Sequence, residues 1–363
     1  MVRAAVLREI GRPLSIEEIE VDDPGPFEVR IRTAAVGVCH SDYHFMNGTY
    51  TTALPVVPGH ESAGVVDAVG EGVTHVVPGD HVITCMSVFC GQCKLCVTGR
   101  GHLCESNNAD RPAGAAPRLH ANGEEIGQLY HLSSYAEQML VSERAVVKIR
   151  KDMPLDRAAL IGCAVLTGFG AVVNTAGVQI GDSVAVVGCG GVGLSAILGG
   201  VAAGADMIIA VDVTEEKLAK AVELGATHTV NAAEVDPVQA VIELTDGGVE
   251  YSFEALGRKA TAEQCFQMLR AGGDATIIGM VPETQTVEIR ASDLLYEKTL
   301  RGSNMGSNRF RVDMPSLVER YLAGTLPLDE MITKRITLDE INEAFDDMLA
   351  GRVSRSVIVF DGV

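Results

Sequence analysis

Through its first half the chain alternates short apolar and β-branched runs with Pro and Gly clusters: VRAAVLREI, VRIRTAAVGV, ESAGVVDAVG, DHVITCM and AEQMLV. Runs of that length bounded by turn residues predict strands, and no helix-strand alternation separates them. From about Thr167 the pattern changes. SVAVVG, GLSAILGGVAAG, MIIAVD, EEKLAKAVELG and a further pair ending at DATIIGMV alternate strand-length with helix-length runs. That order predicts an α/β fold with a parallel sheet wrapped by helices on both faces. From about Met314, two helical segments, SLVERYLAG and DEINEAFDDMLAG, lead to a last strand, SRSVIVF. Residues Ser106 to Gly127 are polar and without period, which predicts one long loop, a kind often tied to function. The apolar run from Val184 to Val213 is long enough for a membrane span. Its glycines, with Ser195 and Asp206 inside it, fit instead a buried strand, a tight turn, a helix and a second strand.

That tight turn carries the first candidate chemistry. Gly188-Cys189-Gly190-Gly191-Val192-Gly193 is G-x-G-x-x-G, directly after a strand and directly before a helix. In this context Gly188 makes the turn, Gly190 lets the backbone approach a pyrophosphate, and Gly193 permits close helix packing. The helix N-terminus offers N–H groups and positive dipole to phosphates. Asp212 ends the next strand, about 20 residues on, where a carboxylate accepts from both ribose hydroxyls and repels an added phosphate. The predicted cofactor is therefore NAD.

The cysteines carry the second. Cys90, Cys93, Cys96 and Cys104 follow C-x2-C-x2-C-x7-C, a spacing that wraps four thiolates around one tetrahedral zinc and leaves no open position. Such a site holds a loop in place. Upstream, Cys39 in VGVCHSDYH and His60 in PGHESAGVV are the ligand types of a catalytic zinc, with Cys163 in IGCAVLTGFG the best third ligand. Cys85, Cys189 and Cys265 lack such context and are expected to pack as small hydrophobes. His75, His81, His102, His120, His131 and His228 are expected at the surface or in packing.

With Gly59-His60-Glu61 followed by Gly64, Gly70 and Val73, then Pro78 to Val82 (PGDHV), the four-cysteine lobe and the GCGGVG loop, the chain resembles the zinc-dependent medium-chain alcohol dehydrogenases from about Val2 to Phe360. The resemblance implies a GroES-like, β-rich catalytic domain over 1–164 with a structural zinc lobe. It further implies a Rossmann domain, a doubly wound parallel sheet, over 165–307, and a return to the catalytic domain over 308–363. Two zinc ions per chain are implied. Glu61 is expected near the catalytic metal without being a resting ligand, and Asp42 on the second nitrogen of His60. Ser41 and His44 match the family's proton relay. Lys217 matches a contact to the adenosine ribose, and Thr167 one on the nicotinamide side. His40 and Arg355 match positions near the pyrophosphate, where many relatives carry Arg in place of His40. Tyr50, Met86 and Tyr130 match the substrate cleft, with Ile278 between cleft and cofactor. The 106–127 loop is implied to border that cleft.

Composition narrows the partners. At 363 residues the chain has room for two cores, and 48 acidic against 29 basic residues give a net charge of −19. That charge disfavours nucleic acid or an anionic membrane as a partner. The start, MVRAAVLREIGRP, has no signal-peptide pattern, so the nine cysteines point to thiols in a reducing cytoplasm.

The expected activity is reversible, NAD-linked oxidation of a primary, medium-chain or aromatic, alcohol by a homodimer or homotetramer. Alternatives are an S-(hydroxymethyl)glutathione dehydrogenase-like enzyme, another zinc-type medium-chain reductase, or a non-enzymatic zinc-binding interaction module. The formaldehyde branch usually has an acidic residue at Tyr50 and Thr at Ser41, and the polyol branch lacks Cys163. The acidic charge and complete cofactor fingerprint oppose the module.

Overall fold

The computed structural model describes residues 1–106, 109–112, 114–353 and 355–362. The chain divides into two compact units, Met1–Cys163 with Arg309–Val363, and Ala164–Asn308. The junctions expected were 164/165 and 307/308.

The first unit is built on the strand Glu28–Gly37, the longest of its strands and buried at eight of ten positions. It can be buried so fully because both of its edges are used. Ser62–Val69 and Gln138–Ser142 pair with it antiparallel, as does Ser356–Val359. That last pairing, Ile358 opposite Val36, is where the C-terminal segment rejoins the N-terminal one. The expected strand ran from Ser354 to Phe360, but Ser354 lies outside the described residues. A second sheet of five strands includes Val2–Val6, Ser15–Val21 and Val56–Val57. Its core joins Val6 and Ile19 to Tyr135, Ile341, Phe345 and Ile358.

Two stretches of this part differ from expectation. The 106–127 segment is not one long loop: Leu119–Ala121 and Glu124–Gln128 form a hairpin. Its turn is Asn122-Gly123 with φ of 51° and 81°, the two left-handed residues that a two-residue hairpin loop needs. The rest of the segment is tied to Glu28, whose carboxylate accepts from Arg118 Nε at 2.7 Å and Arg111 Nη2 at 2.8 Å. Asn107, Asn108 and Ala113, which fall in the same expected loop, lie outside the described residues. Secondly, Leu155–Ala176 is helical throughout, with π turns at Ile161–Val165 and Ala171–Ala176. By length and composition this helix would cross a membrane, yet 78% of its most apolar window is buried within the fold. Burial on all sides explains why it lacks the amphipathic period that reveals a surface helix.

The second unit is a six-stranded sheet, parallel throughout, in the spatial order His228–Asn231, Met207–Asp212, Ser183–Val187, Val249–Glu254, Leu269–Ile277, Thr299–Gly302. Numbered along the chain, that is 3-2-1-4-5-6, the doubly wound order whose reversal lies between the first and fourth strands. The 184–213 run resolves as expected into strand, turn, helix Gly191–Ala203 and strand. Helices Glu215–Glu223, Pro237–Thr245 and Lys259–Gln267 connect the following strands.

Candidate metal centre and cofactor loop

The short helix His40–Met46 presents Cys39 at its N-cap and carries Ser41, Asp42 and His44. The turn Pro58-Gly59 delivers His60, and the first π turn of the 155–176 helix delivers Cys163. All three candidate ligands are buried, and their Sγ and ring-nitrogen atoms lie within 4.8 Å of one another. Asp42 is fully buried beneath them. Its Oδ1 lies 3.1 Å from His60 Nδ1 and accepts from Gly59 N at 2.9 Å, while Oδ2 accepts from the Tyr135 hydroxyl at 2.8 Å. This fixes Nδ1 as the protonated nitrogen and leaves Nε2 as the ligand atom.

The donor set fits a metal ion. Among the described residues, His60 Nε2 is buried without a hydrogen-bond partner. The hydrogen bond with Cys163 holds Cys39 well below its ordinary value, and the same bond with burial pushes Cys163 well above. A cation lets both become thiolates, which protons alone do not. Glu61 is not grouped with these three among the described residues. Its Oε2 accepts from Arg355 Nη2 at 2.5 Å, and Arg355 Nη1 donates to Val38 O at 3.0 Å. Arg355, expected near a pyrophosphate, is buried here as the partner of Glu61.

Around the ligands stands a set of rings. Tyr130 meets His60 edge-on at 5.2 Å and Phe45 at 5.4 Å, and Phe45 lies 5.9 Å from Tyr50. Met86, expected in the same cleft, is partly buried and packs against the Val29, Ile31 and Leu132 core. Ser41 Oγ is 3.6 Å from Cys39 Sγ. His44, three residues further along the same helix, is half-buried, and burial lowers its pKa, with His40 adding to the effect. His40 itself is exposed. Phe45 and Tyr135 had no sequence signal, because an aromatic residue in an apolar run reads as core.

The four-cysteine lobe closes as its spacing predicts. Cys90 and Cys96 sulfurs are 3.9 Å apart, as are those of Cys93 and Cys104, and all four lie within 4.8 Å. Four sulfurs at about 2.3 Å from a tetrahedral zinc are spaced by about 3.8 Å. Backbone N–H groups of Gln92 and Cys93 donate to Cys90 Sγ and bring its pKa down to about 6. By contrast, burial pushes Cys85 and Cys189 up to about 12, as inert core thiols.

In the second unit the glycine loop leaves the strand Ser183–Val187 at the sheet's reversal point. Gly188 has φ +96°, and a Cβ there would meet Leu256 at 2.6 Å; one on Gly193 would meet Gly188 O at 1.7 Å. A Cβ on Gly190 would meet nothing within 4 Å, leaving the loop open for close approach. Asp212 does more than its position implied. Its Oδ2 accepts from Cys189 N at 2.8 Å, and Oδ1 from Val213 N and Thr214 N, so it also pins the loop. Lys217 lies in the first turn of the next helix. Thr167 is buried with its hydroxyl on Met305 Sδ at 3.4 Å, and Ile278 N donates to Glu254 O at the end of the fourth strand.

Comparison with known proteins agrees with this geometry. Residues 25–151 match the alcohol dehydrogenase GroES-like domain and residues 191–321 the zinc-binding dehydrogenase domain. An alcohol dehydrogenase zinc-binding domain protein from Burkholderia ambifaria is 36% identical, with 99% of each chain covered and a TM-score of 0.95. Benzyl alcohol dehydrogenase from Acinetobacter calcoaceticus is 33% identical, again over 99% of each chain, with a TM-score of 0.92. A candidate zinc-binding dehydrogenase from Sinorhizobium meliloti 1021, solved bound to NADP, is 28% identical over 99% of each chain, with a TM-score of 0.83. With that similarity along the chain and both domain models matched in order, the protein belongs to the zinc-dependent medium-chain alcohol dehydrogenase family of oxidoreductases.

Proposed function

We propose that the chain oxidises primary alcohols, aromatic or medium-chain, to aldehydes with NAD, and runs the reverse reaction. The observation that carries this is the buried Cys39, His60 and Cys163 set with the rings of Tyr130, Phe45 and Tyr50 beside it. Similarity to benzyl alcohol dehydrogenase supports the aromatic substrate. Two zinc ions are proposed, one at that set and one in the Cys90, Cys93, Cys96 and Cys104 lobe.

Cys39, His60 and Cys163 would hold a zinc ion that supplies Lewis acidity towards the reacting oxygen, and a bound nicotinamide cofactor would supply hydride-transfer chemistry. Asp42 keeps the His60 ring oriented through Nδ1, and Tyr135 keeps Asp42 in place. Arg355 holds the Glu61 carboxylate. Ser41 takes up the alcohol proton beside Cys39. His44, its pKa lowered by burial and its Nδ1 without a hydrogen-bond partner among the described residues, is the proposed acceptor at the end of the relay. Gly188 to Gly193 cradle the pyrophosphate, Asp212 and Lys217 the adenosine ribose, and Thr167 with Ile278 the nicotinamide side. Although one relative was solved with NADP, the carboxylate of Asp212 favours NAD in this chain. A homodimer or homotetramer acting on a small molecule in the cytoplasm completes the proposal. Its support is the acidic charge and nine unpaired thiols.

The test is a panel of aromatic, straight-chain, secondary and polyol alcohols, followed by NADH absorbance. Primary aromatic alcohols should give the highest kcat/KM. No turnover, or preference for a polyol, would overturn the proposal.

A further inference from the structure

Within the first unit, Tyr130, His131 and Ser133 all adopt left-handed backbone, with φ of 53°, 60° and 59°. Side chains bearing a Cβ avoid this region, and a bulky residue there persists only where its surroundings force it. Here they do. Gln128 Nε2 donates to Ser133 Oγ at 2.9 Å and to Leu140 O at 3.0 Å. Ser134 N and Tyr135 N donate to Gly59 O and Pro58 O, both at 3.0 Å, clamping the strap onto the turn that delivers His60. The conformation sets the Tyr130 ring edge-on against His60.

A tyrosine packed this deeply ordinarily gives its hydroxyl a partner. Tyr130 is half-buried, yet among the described residues its hydroxyl makes no hydrogen bond. It lies within electrostatic reach of Cys39 and Cys163 on one hand and of Tyr50 on the other. With Ser41, 3.6 Å from Cys39 Sγ, proposed above to serve the reacting oxygen, the Tyr130 hydroxyl is left for the remainder of the ligand.

We infer that Tyr130 determines specificity: its ring walls the site next to His60, and its hydroxyl hydrogen-bonds a polar substituent on the ring of an aromatic alcohol. The inference rests on the proposed function and narrows it to ring-hydroxylated benzyl alcohols over benzyl alcohol itself. A hydrogen bond that is lost with one substrate and irrelevant to the other changes their ratio alone.

The test uses zinc-loaded protein and Tyr130→Phe, which keeps the ring. The kcat/KM ratio of 4-hydroxybenzyl to benzyl alcohol should fall about tenfold in the variant, with zinc content unchanged. An unchanged ratio overturns the inference, as does an equal fall for both substrates, which would place the hydroxyl on the reacting oxygen. Calorimetric binding of 4-hydroxybenzaldehyde and benzaldehyde provides a readout without turnover. If no alcohol is oxidised, the proposed function fails, while roughly tenfold weaker binding of the hydroxylated aldehyde alone in Tyr130→Phe upholds this inference. Equal effects on both aldehydes, or no binding of either by the wild type, overturn it.

Discussion

Asp212 pins the glycine loop with the carboxylate that is proposed to select NAD. Three backbone N–H groups, from Cys189, Val213 and Thr214, fix both of its oxygens at the end of the second strand. A phosphate brought within about 5 Å of a carboxylate is repelled by roughly 3 kcal/mol at an effective dielectric near 20. Asp212→Gly should therefore narrow the preference for NAD over NADP. It should also raise KM for both cofactors, because the glycine loop loses its acceptor. Relaxation rather than reversal is expected, since Val213 and Thr214 offer the phosphate no cation. The ratio of kcat/KM with the two cofactors measures this; a mutant with the wild-type ratio would show that Asp212 does not set the choice. At this scale the sequence was legible wherever a residue's chemistry is local. Cys39, His60, Cys163 and the glycines announce themselves by type and neighbours. The grip of Tyr135 on Asp42 and of Arg355 on Glu61 did not, because those partners are 93 and 294 positions apart.

Elements that lack an apolar core of their own are held here by point attachments, and their stability should fail accordingly. The four-cysteine lobe contains two short helical turns, Lys94–Val97 and Gly101–Leu103, with none of their residues buried. Cys96→Ser should therefore lower zinc content and melting temperature together, since a structural site contributes folding energy directly. A variant with unchanged zinc and melting temperature would contradict a closed site. Arg111 and Arg118 are anchored instead by Glu28. Burial raises the pKa of that carboxyl, but Arg111, Arg118 and Gly25 N outweigh it and hold it below the usual glutamate value. A depressed folded-state pKa stabilises the protein above the unfolded value and loses that contribution as pH falls through the folded one. Glu28→Gln should cost about 3 kcal/mol at neutral pH, by removing the carboxylate shared by buried Arg118 and half-buried Arg111, and less in acid. Equal destabilisation at pH 7 and at pH 3 in urea melts would refute the attachment. The same region shows what pattern alone overlooks. Asn122-Gly123 is a hairpin signal, but strands of three and five residues beside it are too short for alternation to register.

For the molecule as a whole, periodicity revealed the parallel sheet and its helices, because each of those elements is long and repeats. It gave no sign of the chain's return to the first unit, which depends on Ile358 meeting Val36 across more than 300 residues. Nor did it reveal the 155–176 helix, which is buried too evenly to show a face. Yet the first π turn of that helix is what delivers Cys163 to Cys39 and His60. The central claim is that this set, and not the four-cysteine lobe, is where alcohol is oxidised. The most direct measurement is NADH formation from benzyl alcohol by wild type and Cys39→Ala, with zinc per chain determined on the same samples. The account predicts two zinc ions and turnover in the wild type, and one zinc, an unchanged melting profile and at least about a thousandfold loss of kcat in the variant. Full zinc content with retained alcohol oxidation in Cys39→Ala would contradict it.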